Sequence, residues 1–386
     1  MNKTLYLTIL ISILFFACKE TKTTSLKNEN LRLAKETIIS GLNHPWSICF
    51  LEEDVALITE KDGGLVKVDL SKKIKTPIAN FPTDLKDSLR FVQRGDNSGI
   101  FEVIKHPAFS TNQLVYISYA AENSKGYTTK VIRAKLEEDQ LANIETIFVA
   151  HPFTMDLFHY GGGMTFGLDG KLYFTIGERL YNEKDQPDLP IAQDVRDKRG
   201  KIYRLNEDGS IPNDNPDFGA EAIPGIYAIG IRAAQGITLD KRDGSIWFSE
   251  HGTYQGDELN KLAAGANYGW PIKTTGKYRY KEFDPPKMEG TEFTAPVHYW
   301  LQTIAPTGLL IYNEEEFEEW KGDIILSGLS RGSLWRINFE NEEIESVEEL
   351  FINDRVRSRK VAISPQGKLY MLSDEDDGRL IRIRKK

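Results

Sequence analysis

Residues 368–383 read KLYMLSDEDDGRLIRI, and this stretch decides the fold because its pattern recurs along the chain. An apolar strand, Leu369–Ser373, is followed by an acidic turn that ends at Gly378, and a second strand then alternates Arg with Leu and Ile. Strands of aliphatic and aromatic residues joined by Asp/Gly turns are typical of β-hairpins. The stretch therefore predicts two antiparallel strands.

The same hairpin pattern occurs five more times before this stretch. The other copies lie at 55–68, 114–134, 171–205, 245–262 and 323–337. Sheets that repeat in this way bury their faces against neighbouring sheets, so we expect an all-β protein, a β-propeller with about six blades. A β-sandwich suits six such hairpins less well, and a β-helix would need shorter, more regular repeats. Helical periodicity is weak everywhere except around 313–320.

Two long insertions interrupt the repeat, at about 178–199 and 264–296. We expect both to be loops that carry additional structure. Binding and catalytic residues are often found on loops that a rigid scaffold positions. The two insertions are therefore candidate parts of a functional site.

The N-terminus has the features of an export signal. Lys3 precedes an apolar run over 5–17, which is shorter than the roughly 20 apolar residues that span a bilayer. The run ends in Ala17-Cys18, which resembles the lipobox of bacterial lipoproteins. We expect a signal peptide at 1–17, acylation of Cys18, and a protein held by this lipid anchor in the periplasm or at the cell surface. The alternative is an ordinary secretory signal with an incidental cysteine.

Composition limits what the rest of the chain can be. Residues 18–36 are mostly polar at their start and are expected to be a flexible tether, with the propeller domain at 37–386. Only one other cysteine, Cys49, is present, so acylation of Cys18 would exclude an intramolecular disulfide. The net charge of −8 excludes a nucleic-acid-binding protein of the usual basic type.

The most unusual segment begins at His159, where the chain reads HYGGGM. An imidazole before three glycines lies where backbone can approach a ligand without obstruction by side chains. The segment is equally compatible with a glycine-rich start of a tightly packed inner strand, in which His159 is only hydrogen-bonded.

Two further segments suggest binding of ions. Arg232 stands in an otherwise uncharged stretch of small residues, and a buried guanidinium needs an anionic partner, either a ligand or a structural Asp or Glu. The segment 250–258, EHGTYQGDE, combines carboxylates with glycine carbonyls in a way that suits Ca²⁺. An acidic turn without an ion would have the same composition.

A basic segment precedes the last hairpin. Arg357 and Arg359 are two residues apart, so in an extended chain their side chains point to the same side. Two parallel guanidinium groups can bind a ligand with several carboxylates. The alternative is a solvated basic edge.

In this order, the segments resemble the soluble PQQ-dependent aldose sugar dehydrogenase family (glucose/sorbosone dehydrogenase type), from about Leu42 to the C-terminus. Further segments that match are LNHPW (42–46), GKIYRL (200–205), DGSIPNDNP (208–216), DELN (257–260), NYGWP (267–271) and IAPTG (304–308). The resemblance implies a six-bladed β-propeller with four-stranded antiparallel blades. It also implies oxidation of an aldose or a related sugar to the lactone by PQQ, and re-oxidation of the reduced quinone by an external electron acceptor.

The resemblance assigns roles to individual residues. His159 matches the general base that takes the C1 hydroxyl proton as hydride passes to PQQ, and Arg232 matches the arginine that stabilises charge on the quinone oxygen. The remaining matches are the Ca²⁺-binding carbonyls of Gly252 and Thr253, a second Ca²⁺ site at Glu258 and Tyr268, and the PQQ-carboxylate clamp of Arg357 and Arg359.

The chain also departs from the family pattern near the cofactor. Asn97 stands in place of a glutamine, Ala233 in place of an asparagine, and Ser330 in place of a lysine for which the adjacent Arg331 could substitute. Gly163 replaces an arginine, and Lys360 replaces an acidic residue.

These departures leave a second hypothesis open, a non-enzymatic propeller that binds a glycan or a protein partner after loss of cofactor affinity. A third, a Ca²⁺-dependent propeller lactonase, would need an inward-facing set of carboxylates that the sequence does not show.

Overall fold

Every predicted hairpin is present in the computed structural model, and each supplies the second and third strands of a four-stranded antiparallel sheet. The structure describes residues 33–61, 64–86, 96–330, 333–340 and 343–386. The expected signal peptide, Cys18 and Arg331 lie outside these ranges.

The strands were assigned as follows. In chain order they are β1 Leu33–Leu42, β2 Pro45–Phe50, β3 Val55–Glu60, β4 Leu65–Asp69, β5 Ile74–Pro77, β6 Ile100–Lys105, β7 Leu114–Asn123, β8 Gly126–Glu137, β9 Gln140–Val149, β10 Gly161–Phe166, β11 Leu172–Ile176, β12 Lys201–Leu205, β13 Ile226–Ile229, β14 Ala234–Leu239, β15 Ile246–Glu250, β16 Asp257–Lys261, β17 His298–Trp300, β18 Pro306–Ile311, β19 Ile324–Gly328, β20 Ser333–Glu340, β21 Glu343–Leu350, β22 Ser358–Ile363, β23 Leu369–Ser373 and β24 Gly378–Lys385.

Six sheets, here called blades 1 to 6, form a ring. Blades 1 to 5 each use four consecutive strands, starting with β2, β6, β10, β14 and β18. The first strand of each blade contacts the first strands of both neighbouring blades, so these strands surround a central axis. The prediction of a six-bladed β-propeller with four-stranded antiparallel blades is confirmed.

The last blade is completed by the N-terminal strand. Blade 6 has the order β22, β23, β24, β1, and β1 pairs antiparallel with β24 from Leu33 opposite Lys385 to Leu42 opposite Gly378. The strand begins four residues before the expected start of the propeller domain at residue 37. The two ends of the chain are therefore joined within one sheet, which closes the ring.

Helical structure in the described ranges is limited to short turns. A single α-helical turn, α1, spans Phe109–Asn112, and 3₁₀ turns span Glu183–Asp185 and Glu318–Trp320. The helical periodicity noted around 313–320 corresponds to the last of these turns. Across the described residues, no helix has the length and apolar character needed to cross a membrane.

The apolar core lies between adjacent blades. The second strands of blades 3 to 6 are buried along their full length, because both of their faces pack against neighbouring blades. Buried clusters join side chains of neighbouring blades, for example Tyr116 of blade 2 with Phe166 of blade 3, whose rings meet edge to face at 5.1 Å. Each blade thus depends on its neighbours for burial of its faces.

A buried ion pair spans the axial channel. Lys360 Nζ on β22 lies 2.6 Å from Glu102 Oε2 on β6, and the other carboxylate oxygen accepts a hydrogen bond from Ser47 Oγ on β2. The two charged side chains are only 14% and 4% exposed. The pair joins blades 6, 1 and 2 and accounts for Lys360, which departs from the family pattern.

We expect Lys360→Met to lower the free energy of unfolding by about 3–5 kcal/mol, because Glu102 would keep a buried charge without its partner. Urea-induced unfolding measures this loss. The control is the double variant Lys360→Met/Glu102→Leu, which removes both charges and should lose far less stability. A single variant as stable as the double variant would contradict the role of the pair.

Candidate active site

The candidate residues gather at one end of the ring, here called the site end. First strands begin there, and the loops between second and third strands lie there. Four described candidates lie within three residues before a first strand, namely Asn97, His159, Arg232 and Arg357, and Arg359 is the second residue of the first strand of blade 6. Gly252 and Thr253 lie in the loop between the second and third strands of blade 4, and Glu258 is the second residue of that third strand.

His159 has a backbone that only a special environment supports. Its φ of 52° lies in the left-handed region, just before β10. Its carbonyl oxygen lies so close to Gly177 that a Cβ there would come within 2.0 Å of it, so residue 177 must be glycine. The close approach of Gly177 therefore allows the His159 backbone to adopt this conformation at the site end.

A carboxylate, Glu178, faces the imidazole. Its Oε1 lies 3.7 Å from His159 Nδ1, and its Oε2 accepts a hydrogen bond from Gln186 Nε2 at 2.5 Å. Burial raises the pKa of Glu178 to about 7, although the charge of Arg232 acts in the opposite direction. Burial, followed by the positive charge of Arg232, holds the pKa of His159 well below its usual value. The imidazole is therefore neutral near pH 7, as a general base must be.

Arg232 lies next to this pair. The Glu178 backbone N–H donates to the Arg232 carbonyl at 2.9 Å, and the guanidinium lies 5.1 Å from the ring centroid of Trp270. Its Nη1 donates to the Gly252 carbonyl at 2.7 Å. Among the described residues no carboxylate lies within ion-pair distance of the guanidinium, and burial lowers its pKa. The Arg232 guanidinium thus bonds to the backbone carbonyls of His251 and Gly252 rather than to a carboxylate of the described residues, an arrangement compatible with an anionic ligand.

The segment expected to bind Ca²⁺ is anchored to two loops. Asp257 accepts from the Gly252 N–H at 2.8 Å and from the backbone N–H groups of Ile304 and Ala305 at 2.7 and 2.8 Å. The Gly252 carbonyl already contacts a guanidinium, so a metal ion there would lie beside a positive charge. The Thr253 hydroxyl bonds to Glu183 at 3.2 Å.

The second expected Ca²⁺ site is built differently. Glu258 and Tyr268 line one small cavity together with Glu250. The Tyr268 hydroxyl donates its proton to the Lys261 carbonyl at 2.7 Å, so this hydroxyl already has a structural hydrogen bond. Burial and the nearby charge of Glu258 raise the pKa of Glu250 to about 8, and burial also raises the pKa of Glu258. The same cavity is also lined by Arg232 and Lys273, and the charge of Arg232 partly offsets the rise in the pKa of Glu250. No group of three or more His, Cys, Asp or Glu residues suited to a metal is found in the described part of the chain.

Arg357 and Arg359 converge, as their spacing predicts. Both guanidinium groups bind Asp374 Oδ2, at 3.0 and 2.7 Å, and together they hold the pKa of that carboxyl well below its usual range. Arg359 is buried, bonds to Gln235 at 2.9 Å and lies 4.1 Å from the Trp46 ring, whereas the Arg357 side chain is 51% exposed. The alternative of a solvated basic edge therefore holds in part for Arg357, which is half exposed, but not for Arg359, which is buried.

The remaining candidates differ in how they face the site. Asn97 is partly buried, and its backbone N–H bonds to the Leu157 carbonyl beside His159 at 2.9 Å. Ala233 is buried directly after Arg232, and Ser330 is exposed. Lys360 points into the axial channel. The PQQ-contact role expected for Arg331 falls on a residue outside the described ranges.

Several residues of the site were not found from the sequence. Glu178, Glu183, Arg279 and Asp374 come from loops that meet only in the folded ring. Asp374 directly follows the second strand of blade 6, and Glu178 lies two residues after the second strand of blade 3, so both occupy nearly the same place in the repeat. That shared position was the one signal that could have identified these two. Glu183 and Arg279 lie within the two insertions, where no repeat guides the choice.

Comparison with known proteins identifies the family. The family model of glucose/sorbosone dehydrogenase matches residues 42–382. Aldose sugar dehydrogenase YliI of Escherichia coli (strain K12) is 30% identical over 359 residues, which cover 90% of this chain and 92% of that protein. Quinoprotein glucose dehydrogenase B of Acinetobacter calcoaceticus is 25% identical over 434 residues, covering 91% and 88%.

A solved structure agrees with these relatives. A crystal structure of a glucose dehydrogenase has a TM-score of 0.82 and 32% identity, and covers 90% of this chain and 99% of that one. The resemblance noted from the sequence is confirmed: the chain belongs to the glucose/sorbosone dehydrogenase family, a family of sugar-oxidising enzymes.

Proposed function

We propose that this protein is a PQQ-dependent dehydrogenase that oxidises the C1 hydroxyl of an aldose or a related sugar to the lactone. The observation that carries the proposal is the Glu178 carboxyl 3.7 Å from His159 Nδ1, with the Arg232 guanidinium close enough for its charge to lower the pKa of His159. A neutral base, a carboxyl group that orients it and a nearby cation are the groups that this oxidation needs.

The residues present are compatible with PQQ. Several buried polar atoms at the site end lack a hydrogen-bond partner among the described residues: His159 Nδ1, Glu178 Oε1, Arg232 Nε, Trp270 Nε1 and Arg359 Nε. Such atoms cost about 1–3 kcal/mol each when unpaired, so a polar ligand is expected beside them. Arg359 and Arg357 would hold carboxylates of PQQ, and Asn97 would face it. When bound, PQQ accepts the hydride that leaves C1 of the sugar.

The side chains of this protein would handle the proton and the charge. Because Nδ1 of His159 faces Glu178, Nε2 on the opposite side of the ring is the atom that takes the C1 hydroxyl proton. Ionised Glu178 stabilises the imidazolium that results. Arg232, shielded from water, stabilises negative charge on the acceptor oxygen. The external electron acceptor completes the cycle and is not specified by these residues.

Calcium belongs to the proposal in one place only. The Glu250–Glu258 cavity would suit a structural Ca²⁺, because its two buried carboxyl groups lie close enough for the charge of Glu258 to raise the pKa of Glu250. At Gly252, next to Thr253, the carbonyl oxygen that would bind an ion already accepts a hydrogen bond from Arg232, which disfavours a metal ion there. No step of the proposed reaction therefore passes through calcium.

We also propose that the protein is an exported lipoprotein acylated at Cys18, following a signal peptide at 1–17. This rests on the apolar run and its Ala17-Cys18 ending. A tether would connect the lipid to the propeller, so the membrane is contacted through the lipid.

Reconstitution tests the function. The form lacking residues 1–18 is loaded with PQQ and Ca²⁺, and an aldose is added while the quinone absorbance is followed. We expect sugar-dependent bleaching. A folded protein that does not take up PQQ would instead support a propeller that binds a glycan or a protein without catalysis.

The His159→Ala variant separates binding from catalysis. We expect PQQ affinity to stay near the wild-type value while kcat falls at least about a hundredfold, the usual contribution of a general base. PQQ titration and turnover measure the two quantities. Normal turnover in this variant would rule out His159 as the base.

The pH dependence should follow Glu178. Because its pKa is raised to about 7, the carboxyl is neutral below that pH and ionised above it, whereas His159 stays neutral throughout this range. We expect kcat/KM to rise with pH through about 7. In Glu178→Gln this rise should disappear, and kcat/KM above pH 7 should fall by about tenfold, which corresponds to one pKa unit of lost charge stabilisation of the imidazolium 3.7 Å away. An unchanged profile in the variant would show that another group titrates.

Calcium binding is tested by stability. At a Ca²⁺ concentration about 100 times its Kd, we expect the free energy of unfolding to rise by about 2.7 kcal/mol. Glu258→Gln should abolish this gain, and Mg²⁺ should not replace Ca²⁺. Equal stabilisation of the variant by Ca²⁺ would place the ion elsewhere.

A further inference from the structure

The two long insertions meet beside the site and form one wall of its mouth. Glu183, from the connection between β11 and β12, accepts backbone N–H groups of Arg279 and Tyr280, the second at 3.1 Å. Both of these residues belong to the connection between β16 and β17. The Tyr280 hydroxyl bonds back to Asn182 at 2.7 Å. Arg279 is therefore held by its backbone, and its side chain remains available for other contacts.

The Arg279 side chain is part of a stack that ends at the catalytic histidine. Its guanidinium lies 4.1 Å from the Tyr181 ring centroid, and the Tyr181 ring lies 4.5 Å from that of Phe158. Phe158 directly precedes His159 in the chain. Tyr181 is 39% exposed, so the stack forms part of the outer wall of the mouth. Aromatic rings in this position can pack against the apolar faces of a sugar ring.

Arg279 lacks an anionic partner in the described part of the chain. Its Nη1 is buried without a hydrogen-bond partner, and its guanidinium forms no ion pair with a carboxylate of the described residues. Its charge also lies close enough to Arg232 to lower the pKa of that residue further, after burial itself. Two neighbouring guanidinium groups at the mouth of a site would be stabilised by an anion between or beside them.

We infer that Arg279 binds a carboxylate on the sugar, and that the substrates of this protein are acidic aldoses such as hexuronic acids with a free C1 hydroxyl. The inference rests on the proposed oxidation at C1 and adds the substrate class. The chemistry is the same as for a neutral aldose: the C1 hydroxyl loses its proton to His159 and its C–H hydride to PQQ, and the distant carboxylate is unchanged.

PQQ also has carboxylates, so the source of the anion must be decided. Arg357 and Arg359 approach the axis from blade 6, whereas Arg279 approaches from the loops of blades 3 and 4. The Arg279 guanidinium also packs against the Tyr181 ring, which is partly exposed. This placement favours the sugar rather than the cofactor as the partner of Arg279.

The test compares D-glucuronate with D-glucose in the PQQ-loaded protein. We expect a higher kcat/KM for glucuronate, and we expect Arg279→Gln to raise KM for glucuronate by about 10–100-fold, as for loss of a charged hydrogen bond. Its KM for glucose and its PQQ affinity should change less than twofold. Lys184→Gln is the matched control, since Lys184 is an exposed cation on the facing β11–β12 connection, 4.8 Å from the ring of Tyr280 next to Arg279, and its loss should not change the preference.

Three results would overturn the inference. The first is an equal kcat/KM for the two sugars in the wild type. The second is an equal rise in KM for both sugars in Arg279→Gln. The third is weaker PQQ binding in Arg279→Gln with an unchanged sugar preference, which would assign Arg279 to the cofactor. Calorimetric titration with glucuronate, without turnover, separates this inference from the proposed function. Binding that depends on Arg279 in a protein that oxidises no sugar would support the carboxylate site and refute the dehydrogenase.

Discussion

Closure of the ring is the constraint on which the rest of the structure depends. A single four-stranded blade has two apolar faces and cannot bury either of them alone. The N-terminal strand β1 completes blade 6, so that every blade has a neighbour on both sides. Closure also brings six first-strand entries to one small area. Residues as far apart in the chain as His159 and Arg359 therefore belong to one site because the ring is closed.

The sequence predicted the fold through the strands that are buried on both faces. Second strands such as β23 are continuously apolar, and a turn joins them to third strands such as β24, in which apolar residues alternate with arginines. The first strands contain glycines and polar residues that serve the site, and the outer strands β5, β13 and β17 have only three or four residues, so none of these gave a periodic signal. Of the site, His159 and Arg232 were identified by unusual composition. Glu178 and Arg279 were not, because their partners come from other loops.

Buried cations are a recurring feature of the site end. Arg179 is fully buried, stacks on Tyr160 at 3.4 Å and donates to the Phe158 and Asp156 carbonyls, which fixes the loop that carries His159. Arg232 is likewise bound by carbonyl groups, whereas Arg359 has Asp374. Guanidinium groups that are buried and bonded to backbone carbonyls, rather than ion-paired with carboxylates, favour anionic ligands. By contrast, Lys360 is matched by Glu102 and contributes to stability rather than to binding.

The direction of β1 sets the end of the ring at which the N-terminal strand begins. Leu42 ends this strand beside Gly378, close to Asp374 and hence to the site end, whereas Leu33 begins it beside Lys385 at the opposite end of the ring. The point at which the propeller joins the preceding chain is therefore on the side of the ring away from the site. An attachment made through that chain, to a membrane or to an electrode, would be joined to the face opposite the candidate site and would leave the site end clear of the attachment point.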